Sequence, residues 1–231
     1  MKLRNGYRTL KYGTPLLDYY AFSKPFPRAR IREYLPTDYD VCSEIYSKNE
    51  SGRFPPNYLS KFQDYLKNEE AIVLVIEEDS KVVGTGGICL LEYTDEITMA
   101  ALSFGLIDPD YQRKGLGTML LCARICFLKP QKNWDLIMTS AGNGTESFYK
   151  RIGFQFVVTT NDEFGTELES YHVKLPECDI IRFRKLIDAS GSASTLRFDT
   201  PIPSSDCREA YQKELIAQQG SPYNSGQSLR D

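Results

Sequence analysis

Six consecutive residues, Gln112-Arg113-Lys114-Gly115-Leu116-Gly117, set an amide, two cations and two glycines at the start of an apolar helical pattern. Glycine lets the backbone come close to a ligand, and the first N–H groups of a helix have no acceptor within it. A helix mouth of this kind attracts an anion, and Arg113 and Lys114 add charge of the right sign. The chemistry that suits the run is binding of a phosphorylated ligand. The elements that must position it are readable on either side. An apolar strand ends near Ile107 and Asp108-Pro109-Asp110 turns the chain. Leu116, Met119, Leu120, Ala123 and Phe127 then recur at helical spacing over 115–128.

Two common phosphate motifs do not fit. A P-loop puts Lys directly after its last Gly and Ser or Thr next, whereas here Lys114 precedes Gly115 and Thr118 follows Gly117. A dinucleotide fingerprint wants a third Gly where Leu120 stands, although Asp135 lies near the distance of a ribose-binding acid. The pattern Gln112-x-x-Gly115-x-Gly117, after a strand and the turn Pro109-Asp110-Tyr111, closely resembles the acetyl-CoA loop of the GNAT superfamily of N-acetyltransferases. A second block, Ser147-Phe148-Tyr149-Lys150-Arg151-Ile152-Gly153-Phe154, resembles that family's short helix ending in Gly-Phe. The resemblance covers about residues 29–175.

The resemblance implies acetyl-CoA as acyl-donor cosubstrate. Its pyrophosphate would sit on the N–H groups of Arg113, Lys114, Gly115, Leu116, Gly117 and Thr118, with the Gln112 side chain holding the loop. The pantetheine arm would pair with strand backbone near Leu106 and Ile107, where family members splay two neighbouring strands and aim an N–H at the thioester oxygen. Asn143 lies near the family's cofactor-contacting asparagine, one residue short of the usual spacing to the tyrosine. Tyr149 falls where many members carry the proton donor to the departing thiolate, and a tyrosine with a reference pKa of about 10 holds that proton at neutral pH. The same residue, next to Phe148 on an amphipathic helix, also reads as core packing.

The general base does not carry over, because the position some members use is Ala101. Glu92, Asp95 and Glu96 near a strand turn, and His172 on a late strand, are the other titrating groups; solvated acids and a structural histidine are the plain readings of them. No Cys-His or Ser-His pairing points to a covalent intermediate. The expected activity is direct transfer of an acetyl group to a primary amine of a small-molecule or peptide acceptor. The rivals on the same fold are a longer-chain acyltransferase and a non-catalytic CoA-binding sensor or interaction module. The 48–70 segment, the 92–96 turn and the 160–169 loop are expected to shape the acceptor pocket, and their acids mildly favour a cationic amine.

Composition agrees with one domain plus extensions: 231 residues, 41% hydrophobic, with a net charge of −3 that gives no reason to expect nucleic acid. No apolar run spans a bilayer and the first residues lack a signal-peptide core, so a cytoplasmic monomer or homodimer without membrane contact is expected. The six cysteines are spread out and read as reduced thiols. Cys122 and Cys126 share a helix face, but with a single histidine in the chain no metal site is expected.

The chain divides into an N-terminal arm (1–28), the acetyltransferase-like domain (29–176) and a partly disordered C-terminal extension (177–231). Within the domain an α/β (α+β) fold is expected. It is a mixed, mostly antiparallel sheet of about seven strands with helices on both faces, and the resemblance adds a V-shaped splay between two central parallel strands. Pro36-Thr37-Asp38 is expected to open the first helix and cap it. Gly84, Gly86 and Gly87 inside one strand imply a bulge or the close approach of another backbone. Ile180 to Ile187 has mixed character, and a helix is expected from Asp206 through Leu215.

Overall fold

The computed structural model describes residues 26–50, 58–68, 71–92, 98–128, 136–141, 145–152, 154–161, 167–174 and 180–188. The arm before Phe26, the 51–57 loop, the 93–97 turn, Asn143 and the 206–215 helix lie outside them.

The described strands form one seven-stranded sheet, β1 (Arg30–Glu33), β2 (Ile72–Glu78), β3 (Lys81–Glu92), β4 (Thr98–Ile107), β5 (Leu136–Ala141), β6 (Gln155–Asn161) and β7 (Glu167–Lys174), in the order β1-β2-β3-β4-β5-β7-β6. Every neighbouring pair is antiparallel except β4 and β5, which run parallel. A parallel pair needs a long crossover, and α3 (Leu116–Leu128) lies within it. β2 and β3 form a hairpin through Asp79 and Ser80, whose φ values of 51° and 64° are the left-handed pair that a two-residue turn requires.

Helices cover both faces. On one, α1 (Tyr39–Asn49) and α2 (Tyr58–Lys67) bury Cys42, Ile45, Tyr46, Phe62 and Leu66 against Val73, Val75 and Leu106. On the other, α3, α4 (Glu146–Ile152) and α5 (Ile180–Asp188) pack against Leu74, Ile88, Ala100 and Leu102. From Met119 to Leu128 every residue of α3 is buried, because the sheet takes one side and α5 takes another with Phe183 and Ile187, one turn apart. The start of the C-terminal extension is therefore part of this core. No helix among the described residues is long and apolar enough to cross a membrane.

The expected cap at Asp38 is used differently. Pro36–Asp38 is a short 3-10 turn, and the Asp38 carboxylate makes no side-chain bond to α1. It accepts instead from the Leu35 N–H at 2.8 Å and from Arg32 at 2.6 and 2.9 Å. Arg32 also donates to Glu77 at 2.7 Å. Burial lowers the Arg32 pKa, but Asp38 and Glu77 outweigh that and hold it above its ordinary value. A guanidinium unpaired in the core would be far costlier than one uncapped helix end.

Candidate active site

Asp108 fixes the chain where it leaves β4. Its carboxylate accepts from the Asp110 N–H at 3.1 Å, which caps the turn Pro109–Tyr111, and from Lys48 of α1 at 3.0 Å. Burial pushes the Asp108 carboxyl up, but Lys48 and the Asp110 N–H outweigh it and leave the group below its usual range. Arg113 at φ 64° and Gly115 at φ 93° bend the backbone into α3, whose first bond runs from Met119 N–H to the Gly115 carbonyl at 3.0 Å. Among the described residues nothing accepts a hydrogen bond from the N–H groups of Arg113, Lys114, Gly115, Leu116, Gly117 or Thr118, and no acid occupies the first turn. The expected loop residues are thus together, and their donors are open to an anion. The two cations differ: Arg113 is exposed, whereas Lys114 lies 3.6 Å from Glu78 and 4.5 Å from the centre of the Tyr111 ring.

Gln112 braces this loop from behind. Its amide donates to the Ile107 carbonyl and to Asn49 Oδ1, both at 3.0 Å, while Asn49 Nδ2 donates to Ile107 at 3.1 Å and to Ile45 at 2.8 Å. The Ile107 carbonyl therefore already holds two donors, which narrows the expected pairing near Leu106 and Ile107 to other backbone groups there.

The parallel ladder between β4 and β5 runs from Met99–Leu136 to Leu102–Thr139 and stops. β4 continues to Ile107, while Ser140 and Ala141 of β5 pair only with β7. Just past that point β4 bulges: Ser103 pairs with Gly87 and Leu106 with Thr85, so Phe104 and Gly105 together oppose Gly86. Phe104 takes φ 47°, a left-handed conformation that costs a non-glycine residue about 1–2 kcal/mol, and its ring is held 5.1 Å from Phe62 and 5.2 Å from Tyr65. The glycines of β3 follow from what surrounds them, which is side chains more than backbone. A Cβ on Gly86 would stand 3.0 Å from the Arg124 guanidinium, and one on Gly87 would collide with the Tyr65 hydroxyl.

Arg124 projects from α3 into this bulge at 3% exposure. Its Nη1 donates to the Gly87 and Ser103 carbonyls, each at 3.4 Å, and its Nε has no partner among the described residues. Burial lowers its pKa, and Tyr149 and Tyr65 work in the opposite direction. Tyr149 is 9% exposed, with Phe148 and Phe154 edge-on at 5.2 and 5.5 Å and Tyr171 stacked at 6.2 Å. It is at once a core aromatic and the hydroxyl beside Arg124. Asn143 lies outside the described residues.

The candidate bases fare unevenly. Asp95 and Glu96 are outside the described residues, and Ala101 supplies no side chain for the task. His172 is half-buried on β7, opposite Met138 and Gln155. Glu169, at the end of the 160–169 stretch expected to shape the acceptor pocket rather than one of the candidate bases, accepts from Tyr171 and pairs with Lys150 at 3.5 Å, and these two hold its pKa down. Sequence reasoning missed Asn49, Lys48, Tyr65 and Arg124. Only Arg124 left a signal, as the one charged residue inside an otherwise apolar helix.

The model of the acetyltransferase (GNAT) domain matches residues 69–156, from before β2 into β6 and so across the loop, the bulge and Tyr149. The "Probable N-acetyltransferase san" of Drosophila melanogaster is 28% identical over 121 residues, 50% of this chain and 64% of the fly protein. A Bacillus subtilis protein, provisionally named ribosomal protein bS18-alanine N-acetyltransferase, is 26% identical over 130 residues, 55% of this chain and 82% of that protein. The chain thus spans just under two thirds of the fly protein's length. A crystal structure of a provisionally assigned GNAT-family acetyltransferase from Desulfovibrio desulfuricans superposes with a TM-score of 0.56 at 18% identity, over 64% of this chain and 99% of that one. Loop and sheet order agree with that match: over residues 69–156 the chain is similar to the acetyltransferase (GNAT) domain, on a fold shared with GNAT structures.

Proposed function

We propose that the protein transfers an acetyl group from acetyl-CoA directly to a primary amine. The observation that carries this is the row of N–H groups from Arg113 to Thr118 that have no acceptor among the described residues, set at the end of the strand that parts from β5. A diphosphate on those groups leaves the rest of the donor to run between β4 and β5 toward the bulge at Phe104 and Gly105. Residues Leu106, Gln112, Arg113, Lys114, Gly115, Leu116, Gly117 and Thr118 form the cosubstrate site, to which the family resemblance adds Asn143. Holding donor and amine in line supplies most of the acceleration, and the bulge presents backbone N–H groups to the carbonyl as it becomes an oxyanion. Tyr149 protonates the sulphur as it leaves.

For the acceptor, the Bacillus relative's name points to an N-terminal alanine amine on a protein, and the exposed acid Glu167 favours a cationic amine. The test is thiol release from acetyl-CoA across a panel of alanine-terminated peptides, lysine peptides and small amines, alongside calorimetry with CoA. Turnover on any amine supports the reading. CoA binding with no turnover on the whole panel assigns the chain instead as a non-catalytic CoA sensor, and no CoA binding at all removes both.

A further inference from the structure

Arg124 is harder to explain than any other buried group among the described residues. Several residues meet it: Gly86 and Gly87 of β3, Ser103 and Gly105 of β4, Tyr65 from α2 and Tyr149 from α4. Among the described residues the titratable groups acting on it are Tyr65 and Tyr149, and no carboxylate is among them. A buried ion without a counter-ion loses several kcal/mol of hydration, and a methionine of similar length would fill the same space without that penalty. Its bonds to backbone carbonyls do not repay it: both are 3.4 Å, at the weak end of the range, Nε has no partner among the described residues, and beyond these it meets only the neutral hydroxyl of Tyr149. The surroundings are nonetheless fitted to a guanidinium. Cβ atoms on Gly86 and Gly105 would approach it to 3.0 and 2.8 Å, so two positions in facing strands lack side chains where it lies. A charge kept at this expense, behind the parting of β4 and β5, is suited to a negative charge that arises there only during reaction.

We infer that Arg124 is a positioning residue for acetyl transfer, placing a fixed positive charge behind Gly105 and beside Tyr149, so that the CoA sulphur departs more readily as thiolate. The inference rests on the acetyl-transfer reading. In that reaction the amine lone pair forms the N–C bond and the carbonyl π pair moves to oxygen. Collapse restores the C=O bond and breaks the C–S bond, whose electron pair leaves on sulphur. The Tyr149 hydroxyl gives its proton to that sulphur, and the proton shed by the new amide nitrogen returns through solvent to the tyrosinate. Arg124 faces both transient anions, the thiolate and the tyrosinate. The Tyr65 hydroxyl is committed to the Ile88 carbonyl at 3.1 Å, which leaves Tyr149 as the hydroxyl through which Arg124 acts.

CoA itself is the probe, so no acceptor need be known. Wild type, Arg124→Lys, Arg124→Gln and Arg124→Met are each titrated calorimetrically with CoA, and the ultraviolet absorbance of the thiolate gives the ionised fraction of bound CoA at one mildly alkaline pH. The expected thiolate-to-thiol ratio on wild type is at least about tenfold above free CoA, equivalent to one pKa unit. Arg124→Lys keeps most of that excess. Arg124→Gln and Arg124→Met lose it while binding CoA nearly as tightly. Arg124→Gln still offers donors to the Gly87 and Ser103 carbonyls and serves where the methionine variant fails to fold. An unchanged ratio in Arg124→Gln overturns the inference, and so does a fall in melting temperature and CoA affinity with the ratio unmoved, which would make Arg124 a brace for the bulge. Wild type that does not bind CoA overturns the acetyl-transfer reading first, an outcome distinct from CoA bound with an unshifted thiol.

Discussion

Asn49, the last residue of α1, donates its side-chain amide to the carbonyl of Ile107, the last residue of β4, at 3.1 Å. Gln112 reaches the same carbonyl and Asn49 itself, so one small polar knot joins a helix of the opposite layer to the strand end and to the loop that follows. The knot sets the height at which the loop's N–H groups stand relative to the sheet.

Replacing Asn49 by Leu keeps the volume and removes the amide. Its bonds to Ile45 and Ile107 and its acceptor for Gln112 all go, so the fold is expected to lose about 1–3 kcal/mol in a urea titration. CoA affinity should fall along with it. Full CoA affinity in the variant would show that the loop holds its place without the knot.

Gly117 separates binding from folding. A Cβ there would lie 3.6 Å from the Ile107 side chain, an ordinary contact, so Gly117→Ala should fold and gain up to about 1 kcal/mol from helix propensity. Gly117→Glu should melt close to wild type but show no heat of CoA binding, because its carboxylate occupies and repels at the phosphate position. Undiminished binding by Gly117→Glu would reject the placement of the diphosphate.

Tyr149→Phe keeps the ring against Tyr171 and Phe154 and removes only the hydroxyl. The melting temperature should barely move while kcat on a productive amine drops by about 10²–10⁴, the range for a general acid. A kcat within twofold of wild type would leave Tyr149 as core packing alone.

The glycines of β3 should rank by what blocks them. A Cβ on Gly84 meets the Leu106 carbonyl oxygen at 2.8 Å, which is backbone and cannot swing away. On Gly86 it meets the Arg124 side chain at 3.0 Å. Thermal denaturation should place Gly84→Ala below Gly86→Ala, with about 1–3 kcal/mol lost in the worse case. The reverse order would show that Arg124 is the less movable neighbour.

Cys42 gives a pH test. Burial, chiefly, and the nearby Asp38 charge push its thiol up to about 12, whereas in the unfolded chain it ionises near its ordinary value of 9.0. The folded state therefore holds the proton longer. The stability from this group is complete below about pH 9 and falls as the pH rises toward 12. Cys42→Ala should flatten that alkaline fall in a denaturation series, and native protein at pH 8 should react with thiol reagents at Cys42 only slowly.

The parts of the candidate site that were legible in the sequence are the local ones. Gln112 to Gly117 carry their chemistry within a few residues, and the strand and helix on either side announce themselves by period. Asn49 was not legible and Arg124 showed only as a lone charge in an apolar helix, because neither has a readable role without its neighbours. Asn49 meets Gln112 across 63 residues, and Arg124 matters only once the register of β3 and β4 sets Gly86 and Gly105 around it. α5 was obscure for a related reason: Phe183 and Ile187 make a face only when α3 is there to receive it. Asp38 misled because a residue type that caps helices also pairs with arginine, and only burial of Arg32 decides between the two.

The extra residue in β4 also reverses the strand. Ahead of it Ala100 and Leu102 point into the layer of α3, and beyond it Leu106 points into the layer of α1 and α2. A single strand is thus a member of both cores, with its crossover point at Phe104 and Gly105. Loosening either core tugs on that crossover, so damage far from the loop will be felt first as blunted chemistry, while most of the secondary structure still stands.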